Sequence, residues 1–257
     1  MILPLASGVF PSLAPSDRSA FWAVTGRLGG VSAGAFSSAN LADHVGDQSV
    51  HVDSNRAALA ALVGVEQPNL VVMTPVHGGD VAVVRSTGVA QPADSLVTEE
   101  IGIGLVALGA DCATIGLCGY REDRQPMIAV VHCGWKGLCA DVLGNTVKTM
   151  SELGAATFRA ILGPAICGNC YPVPEDRLQQ VRDRCRSDVA AAALGSAGGI
   201  DVRAGLEVWL TECEIPFESV GGCTSESSHE LFSYRRDGRT GRQGLVLVLK
   251  ESINAAP

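Results

Sequence analysis

Residues 101–120, IGIGLVALGADCATIGLCGY, form the longest apolar window of the chain. A uniformly apolar stretch of about 20 residues would suffice to span a bilayer as a helix. Asp111 stands near its centre, where a carboxylate costs about 2.5–3.5 kcal/mol to insert, and the five glycines of the window weaken a helix further. The window therefore reads as two buried strands around a polar turn. Strands apolar throughout must be covered on both faces, which calls for a layered core rather than a one-sided sheet.

The rest of the chain agrees with that demand. Apolar or β-rich runs at Asn69–Met73, Val81–Arg85, Ile103–Leu108, Thr114–Leu117, Met127–Val131, Phe158–Leu162 and Leu245–Leu249 read as strands. Ser54–Leu62 reads as a helix capped by Asp53 or Ser54, and further helices are expected over Leu138–Leu153, Glu175–Ala193 and Val202–Cys213. Several strands follow one another in the middle of the chain, so the expected class is α/β of the α+β type, with a mixed β-sheet sandwich core flanked by helices. No repeat and no long linker divides the sequence. With 257 residues and 47% apolar content, one large domain over 1–257 is expected.

Charge narrows the function classes. Nineteen Lys and Arg against 27 Asp and Glu give a net charge of −8. Sequence-independent binding to nucleic acid or to an anionic membrane needs a basic face and is not expected. Nine cysteines are an odd and high count for such a chain. The first residues, MILPLASGVFPSLAPSDR, carry no basic region ahead of an apolar stretch, so the expectation is a cytoplasmic protein with reduced thiols.

Three segments share one design, an apolar strand running into a small-residue turn that presents a reactive side chain. They are LVVMTPVHGGDV with His77, LVALGADCATI with Asp111 and Cys112, and AVVHCGWKGL with His132 and Cys133. Side chains presented at the ends of separate strands can converge at one rim of a sheet. Taken singly, a histidine at a strand end is more often a hydrogen-bonded structural residue, and a cysteine in an apolar run is usually core. Together, His77, Cys112 and His132 make a His₂Cys set that suits zinc with one position left for water or substrate, and a trigonal set of this kind also suits copper.

The blocks HVGD (His44–Asp47), Asn55-Arg56, VHGGDV (Val76–Val81), ADC (Ala110–Cys112), HCGWKG (His132–Gly137), LGPAI (Leu162–Ile166) and FSYRRDGRTGR (Phe232–Arg242) resemble, in order, the laccase-domain family. That family was formerly called multicopper polyphenol oxidase and is now regarded as one of purine nucleoside phosphorylases. The resemblance implies an α/β fold with a sheet-sandwich core and one zinc on His77, Cys112 and His132. It also implies a cytosolic enzyme for phosphorolysis of adenosine, inosine, guanosine and methylthioadenosine and for deamination of adenosine. The sequence departs from the family pattern at Thr74-Pro75, where Gln usually precedes VHG, at Pro172, where Glu is common, and at Cys133, often Ala.

On this reading Asp111, Cys112 and His132 are the expected catalytic residues, with Asp111 the acid beside a proposed ligand. Asn40, Arg56, Trp135, Lys136 and Arg235 are the expected substrate contacts. The cations match phosphate oxygens and Trp135 offers a face to a purine. Arg236 and Arg242 lie in the same basic loop as Arg235. The expected partners are nucleosides and phosphate, in a monomer or homodimer. Competing readings are a copper-dependent polyphenol oxidase, for which five histidines are few, and a Cys/His hydrolase that edits cell-wall peptide precursors with Cys112 as nucleophile. A fourth is a non-catalytic protein whose metal site is closed by Cys133 or His229. Cys167 and Cys170 form a C-x-x-C that suits zinc or redox chemistry, yet no second C-x-x-C or spaced His pair completes it.

Overall fold

A computed structural model describes residues 1–11, 18–88, 91–195 and 198–251. Its strands are β1 (Pro4–Val9), β2 (Arg18–Thr25), β3 (Leu70–Val72), β4 (Val81–Val83), β5 (Ser95–Thr98), β6 (Gly104–Gly109), β7 (Ala113–Arg121), β8 (Pro126–Cys133), β9 (Ala155–Leu162), β10 (Phe217–Ser219) and β11 (Gln243–Glu251). Its helices are α1 (Ser49–Val63), α2 (Trp135–Cys139), α3 (Val142–Glu152), α4 (Glu175–Arg184), α5 (Ser187–Leu194), α6 (Val202–Glu212) and α7 (Tyr234–Asp237). The strands form a five-stranded sheet in the order β1-β2-β11-β6-β3 and a six-stranded sheet in the order β10-β9-β7-β8-β5-β4. Both sheets mix parallel and antiparallel neighbours. The apolar window is β6, a turn and β7, and the turn carries the chain from one sheet to the other.

The alternation of side chains along each strand explains the continuous apolar runs. On β11, Leu245, Leu247 and Leu249 join the cluster between the sheets, while Val246 and Val248 join one beneath α1 with Leu59 and Val63. On β8, Ile128 and Val130 face the other sheet, while Met127, Ala129, Val131 and Cys133 pack against Leu143, Met150 and Leu206 of the helices. The order of layers is thus α1, sheet, sheet, helices, and no face of the central strands meets water. This bears out the expected mixed sandwich flanked by helices.

Several boundaries differ from those read in the sequence. The first helix starts at Ser49 behind Gln48, and Ser54 lies inside it with its hydroxyl donating back to Val50 O at 2.8 Å. The helix expected over Leu138–Leu153 is two, because Asp141 takes a left-handed conformation (φ 50°) and caps α3 by accepting from Gly144 N. The one expected over Glu175–Ala193 breaks between Arg184 and Ser187. Strands β1, β2, β5 and β10 escaped the reading, since their short or polar-interrupted runs carry no clear period. No helix of the described residues is long and apolar enough to cross a membrane.

Gly116 of β7 packs tightly against leucines of the opposite sheet. A Cβ there would lie 2.6 Å from Leu247 Cδ1 and 2.9 Å from Leu245 Cδ2. Overpacking of this kind costs about 1–3 kcal/mol. Gly116→Val is therefore expected to lower the denaturant midpoint by that equivalent with an unchanged slope, which an equilibrium urea titration would measure.

Candidate metal centre

Both chain crossings from the five-stranded to the six-stranded sheet carry a candidate ligand. His77 sits between β3 and β4, and Cys112 sits between β6 and β7. His132 is the penultimate residue of β8, in step with Ile128 and Val130, while Cys133 points the other way into the helix-side core. The fold brings all three together, with their ligand atoms within 4.8 Å of one another. The two imidazoles meet edge to face with ring centroids 4.8 Å apart. No fourth His, Cys or carboxylate among the described residues joins this cluster, and neither Cys133 nor His229 closes it.

Asp94, just ahead of β5, organises the cluster from behind. Its carboxylate is fully buried. Oδ1 lies 3.0 Å from His132 Nδ1 and accepts from His77 N at 2.9 Å. Oδ2 accepts from Gly78 N at 2.6 Å and from Val76 N at 3.3 Å. The backbone completes the link, with His132 N donating to Asp94 O at 2.8 Å. One buried acid thereby fixes the left-handed His77 turn (φ 60°) and the orientation of His132, leaving Nε2 of that ring for a ligand. A metal-binding histidine held through its other nitrogen by a carboxylate is a recurring arrangement. Sequence reasoning missed Asp94; the only available signal was a lone acid directly before an apolar run.

The residues present fit a metal ion on two further grounds. Gly134 leaves open the space beside the donors, where a Cβ would lie 3.0 Å from Cys112 Sγ and 3.5 Å from His77 Cδ2. The electrostatics already favour a thiolate. Burial pushes the Cys112 thiol up, but the imidazoles of His132 and then His77 more than offset this and bring it to about 6. Burial pulls His132 down, but the Cys112 charge and the hydrogen bond that the ring donates to Asp94 raise it to about 9. Burial also raises Asp94, and the His132 and Gly78 hydrogen bonds hold it below the usual carboxylate range.

The cluster lies in a cleft of about 600 Å³. Trp135, Lys136 and Arg235, three of the sequence candidates for substrate contact, line it together with Tyr171, Arg177, Tyr234 and Arg242. The cations lie over the rings, Arg177 5.1 Å from the Trp135 ring centre and Arg235 5.2 Å from that of Tyr171. A net acidic chain has thus gathered a basic and aromatic cleft.

Asp111 also lines the cleft, at a turn with φ 106°, but its oxygens accept from Thr224 Oγ1 and Arg235 N, both at 2.6 Å. Asn40 and Arg56 stand outside the cleft lining. Asn40 is fully buried, donating to Ala42 O at 2.9 Å and accepting from Arg242 N at 3.0 Å. Arg56 donates to Leu41 O at 2.9 Å and pairs with Asp43. These hydrogen bonds brace the loop that brings His44 to the cleft, so the structure places both residues beside the wall rather than in the lining that their motif positions suggest.

A model of the family described as multi-copper polyphenol oxidoreductase laccase matches residues 21–250. The chain belongs to this laccase-domain family. A purine nucleoside phosphorylase of Corynebacterium glutamicum is 36% identical to it over 249 residues, covering 94% of this chain and 99% of the relative. One from Streptomyces coelicolor is 37% identical over 234 residues, covering 88% and 93%. Among solved structures, the hypothetical protein YfiH of Bacillus licheniformis superposes with a TM-score of 0.81 at 26% identity, covering 90% of this chain and 93% of that one. YlmD from Geobacillus stearothermophilus gives 0.79 at 26% identity, covering 97% and 99%. The laccase-domain fold therefore extends over nearly the whole chain, with the metal-capable cluster where its two sheets meet.

Between about pH 6 and 9 the metal-free Cys112–His132 pair holds one proton, as thiolate and imidazolium. Alkylation of Cys112 in metal-free protein is expected to rise with a midpoint near pH 6, and in His132→Gln to shift up toward the free-thiol value of about 8.5. A wild-type midpoint near the free-thiol value would contradict the pairing.

Proposed function

We propose that this laccase-domain protein is a zinc-dependent purine nucleoside phosphorylase that accepts adenosine, inosine, guanosine and methylthioadenosine, and that it also deaminates adenosine. The observation that carries the reading is the three-donor cluster, without a fourth protein ligand among the described residues, at the base of a basic and aromatic cleft. A closed structural zinc site would use four protein ligands, whereas three leave a position for chemistry.

His77, Cys112 and His132 would hold the ion. When bound, it supplies a Lewis acid able to polarise a substrate oxygen or lower the pKa of water toward about 7. The chain's own residues do the rest. Asp94 holds His132 in the tautomer that frees Nε2 and keeps the His77 turn in place. Trp135, Tyr171 and Tyr234 offer ring faces to a purine. Lys136, Arg177 and Arg235 supply positive charge for phosphate, which guanidinium forks match through paired hydrogen bonds. Asp111 acts by position, tying the Thr224 and Arg235 segments to the cluster.

A second reading has one specific observation in its favour. Cys112, His132 and Asp94 also form a nucleophile, base and orienting acid, as a thiol hydrolase would need. Chelation separates the two, since a metal-dependent phosphorylase loses turnover with its ion and a thiol hydrolase does not.

Incubation with adenosine and phosphate is expected to yield adenine and ribose 1-phosphate in a phosphate-dependent reaction and inosine in a phosphate-independent one, followed by chromatography. Chelation should abolish both and zinc should restore them. Lys136→Ala and Arg235→Ala are expected to raise KM for phosphate about tenfold or more, the worth of one charge-assisted hydrogen bond. Zinc bound without turnover of any purine nucleoside would overturn the proposal.

A further inference from the structure

A second group of metal-capable side chains lies behind the cleft wall. Cys167, Cys170, Cys223 and Glu226 bring three sulfurs and a carboxylate oxygen within 4.8 Å of one another. They come from two short segments with the same spacing, C-x-x-C and C-x-x-E. The first pair sits on a 3₁₀ turn at Gly168–Cys170, with Cys170 N donating to Cys167 O at 3.1 Å. The second sits on a turn in which Ser227 N donates to Cys223 O at 3.0 Å, so residues three apart share a side. The segments are paired through an Ala165–Cys223 bridge. Cys170 Sγ lies 3.7 Å from Glu226 Oε1, and Cys167 N donates to Cys223 Sγ at 3.3 Å.

From this geometry we propose a second, structural zinc site with Cys167, Cys170, Cys223 and Glu226 as its four ligands, distinct from the His77–Cys112–His132 cluster and sharing no residue with it. The C-x-x-C is completed by a cysteine and a carboxylate 53 or more residues further on, which a search for Cys and His spacing alone passes over. Tetrahedral zinc with bonds of about 2.3 Å to sulfur and 2.0–2.2 Å to carboxylate places ligand atoms roughly 3.5–3.8 Å apart. The side chains present need to close by about an ångström or less. Three thiolates and a carboxylate at such distances would repel one another. A divalent cation removes that conflict, as each thiol proton leaves to solvent and a sulfur–zinc bond replaces it.

The site has a mechanical consequence. Ile166 and Tyr171 flank the first pair and line the cleft. In the second segment, Thr224 bonds Asp111 at 2.6 Å and accepts from Arg236 through its carbonyl. Zinc here would staple the loop that lines the cleft to the segment that holds Asp111 and Arg236. The inference is independent of the reaction proposed above, since it concerns metal content and wall stability.

The test is metal counting on the full-length protein, purified under reductant and loaded with zinc or cobalt. Two equivalents are expected for wild type. His77→Gln/Cys112→Ser should retain one equivalent and most of the thiolate-to-cobalt charge-transfer absorption. Cys223→Ser should also retain one equivalent, but only about a quarter of that absorption, because one cobalt–thiolate bond of four remains. Its far-ultraviolet circular dichroism should be unchanged and its melting temperature lower. A single equivalent in wild type that disappears in His77→Gln/Cys112→Ser would overturn the proposal. So would a Cys167–Cys170 disulfide that persists under reductant, which would make the pair a redox element.

Discussion

The buried carboxylate of Asp94 is the interaction on which the cleft depends. It accepts from the backbone of Val76, His77 and Gly78 and meets the ring of His132, so that a single group ties a loop crossing between the sheets to the end of a central strand. A buried charge is tolerated only when its acceptor sites are filled. Here the groups that fill them are the ones that must be held in place. Removing the charge would free the His77 turn and the His132 ring together.

The sandwich supplies the frame for that interaction. Two stacked sheets with helices outside leave the strand interiors dry, and chemistry is confined to the rim where chains cross from sheet to sheet. His77 and Cys112 are on such crossings. Strand parity then decides the fate of neighbours: His132 follows Ile128 and Val130 toward the sheet interface, and Cys133 follows Val131 into the helix-side core. Adjacent residues with similar metal affinity end in different chemistry because a pleat separates them.

The sandwich and the triad were legible in the sequence because each is carried by local pattern. Runs apolar throughout imply strands covered on both sides, and the motifs around His77, Cys112 and His132 are contiguous. What escaped depends on contacts between distant segments. Asp94 lies 38 residues before His132 in an unremarkable acid-before-strand context. The aromatic rings of Tyr171, after a 3₁₀ turn, and Tyr234, at the start of the one-turn helix α7, reach the cleft from segments too short to show a period. For Asn40 and Arg56, motif position pointed to substrate, whereas the hydrogen bonds they make hold a loop beside the cleft.

The most direct test of this account is the zinc affinity of Asp94→Asn, measured by competition with a chromophoric chelator alongside its melting temperature. Loss of an orienting carboxylate is expected to weaken binding about 10–100-fold while the variant stays folded. A folded Asp94→Asn protein that binds zinc as tightly as wild type would contradict the central place given to this residue.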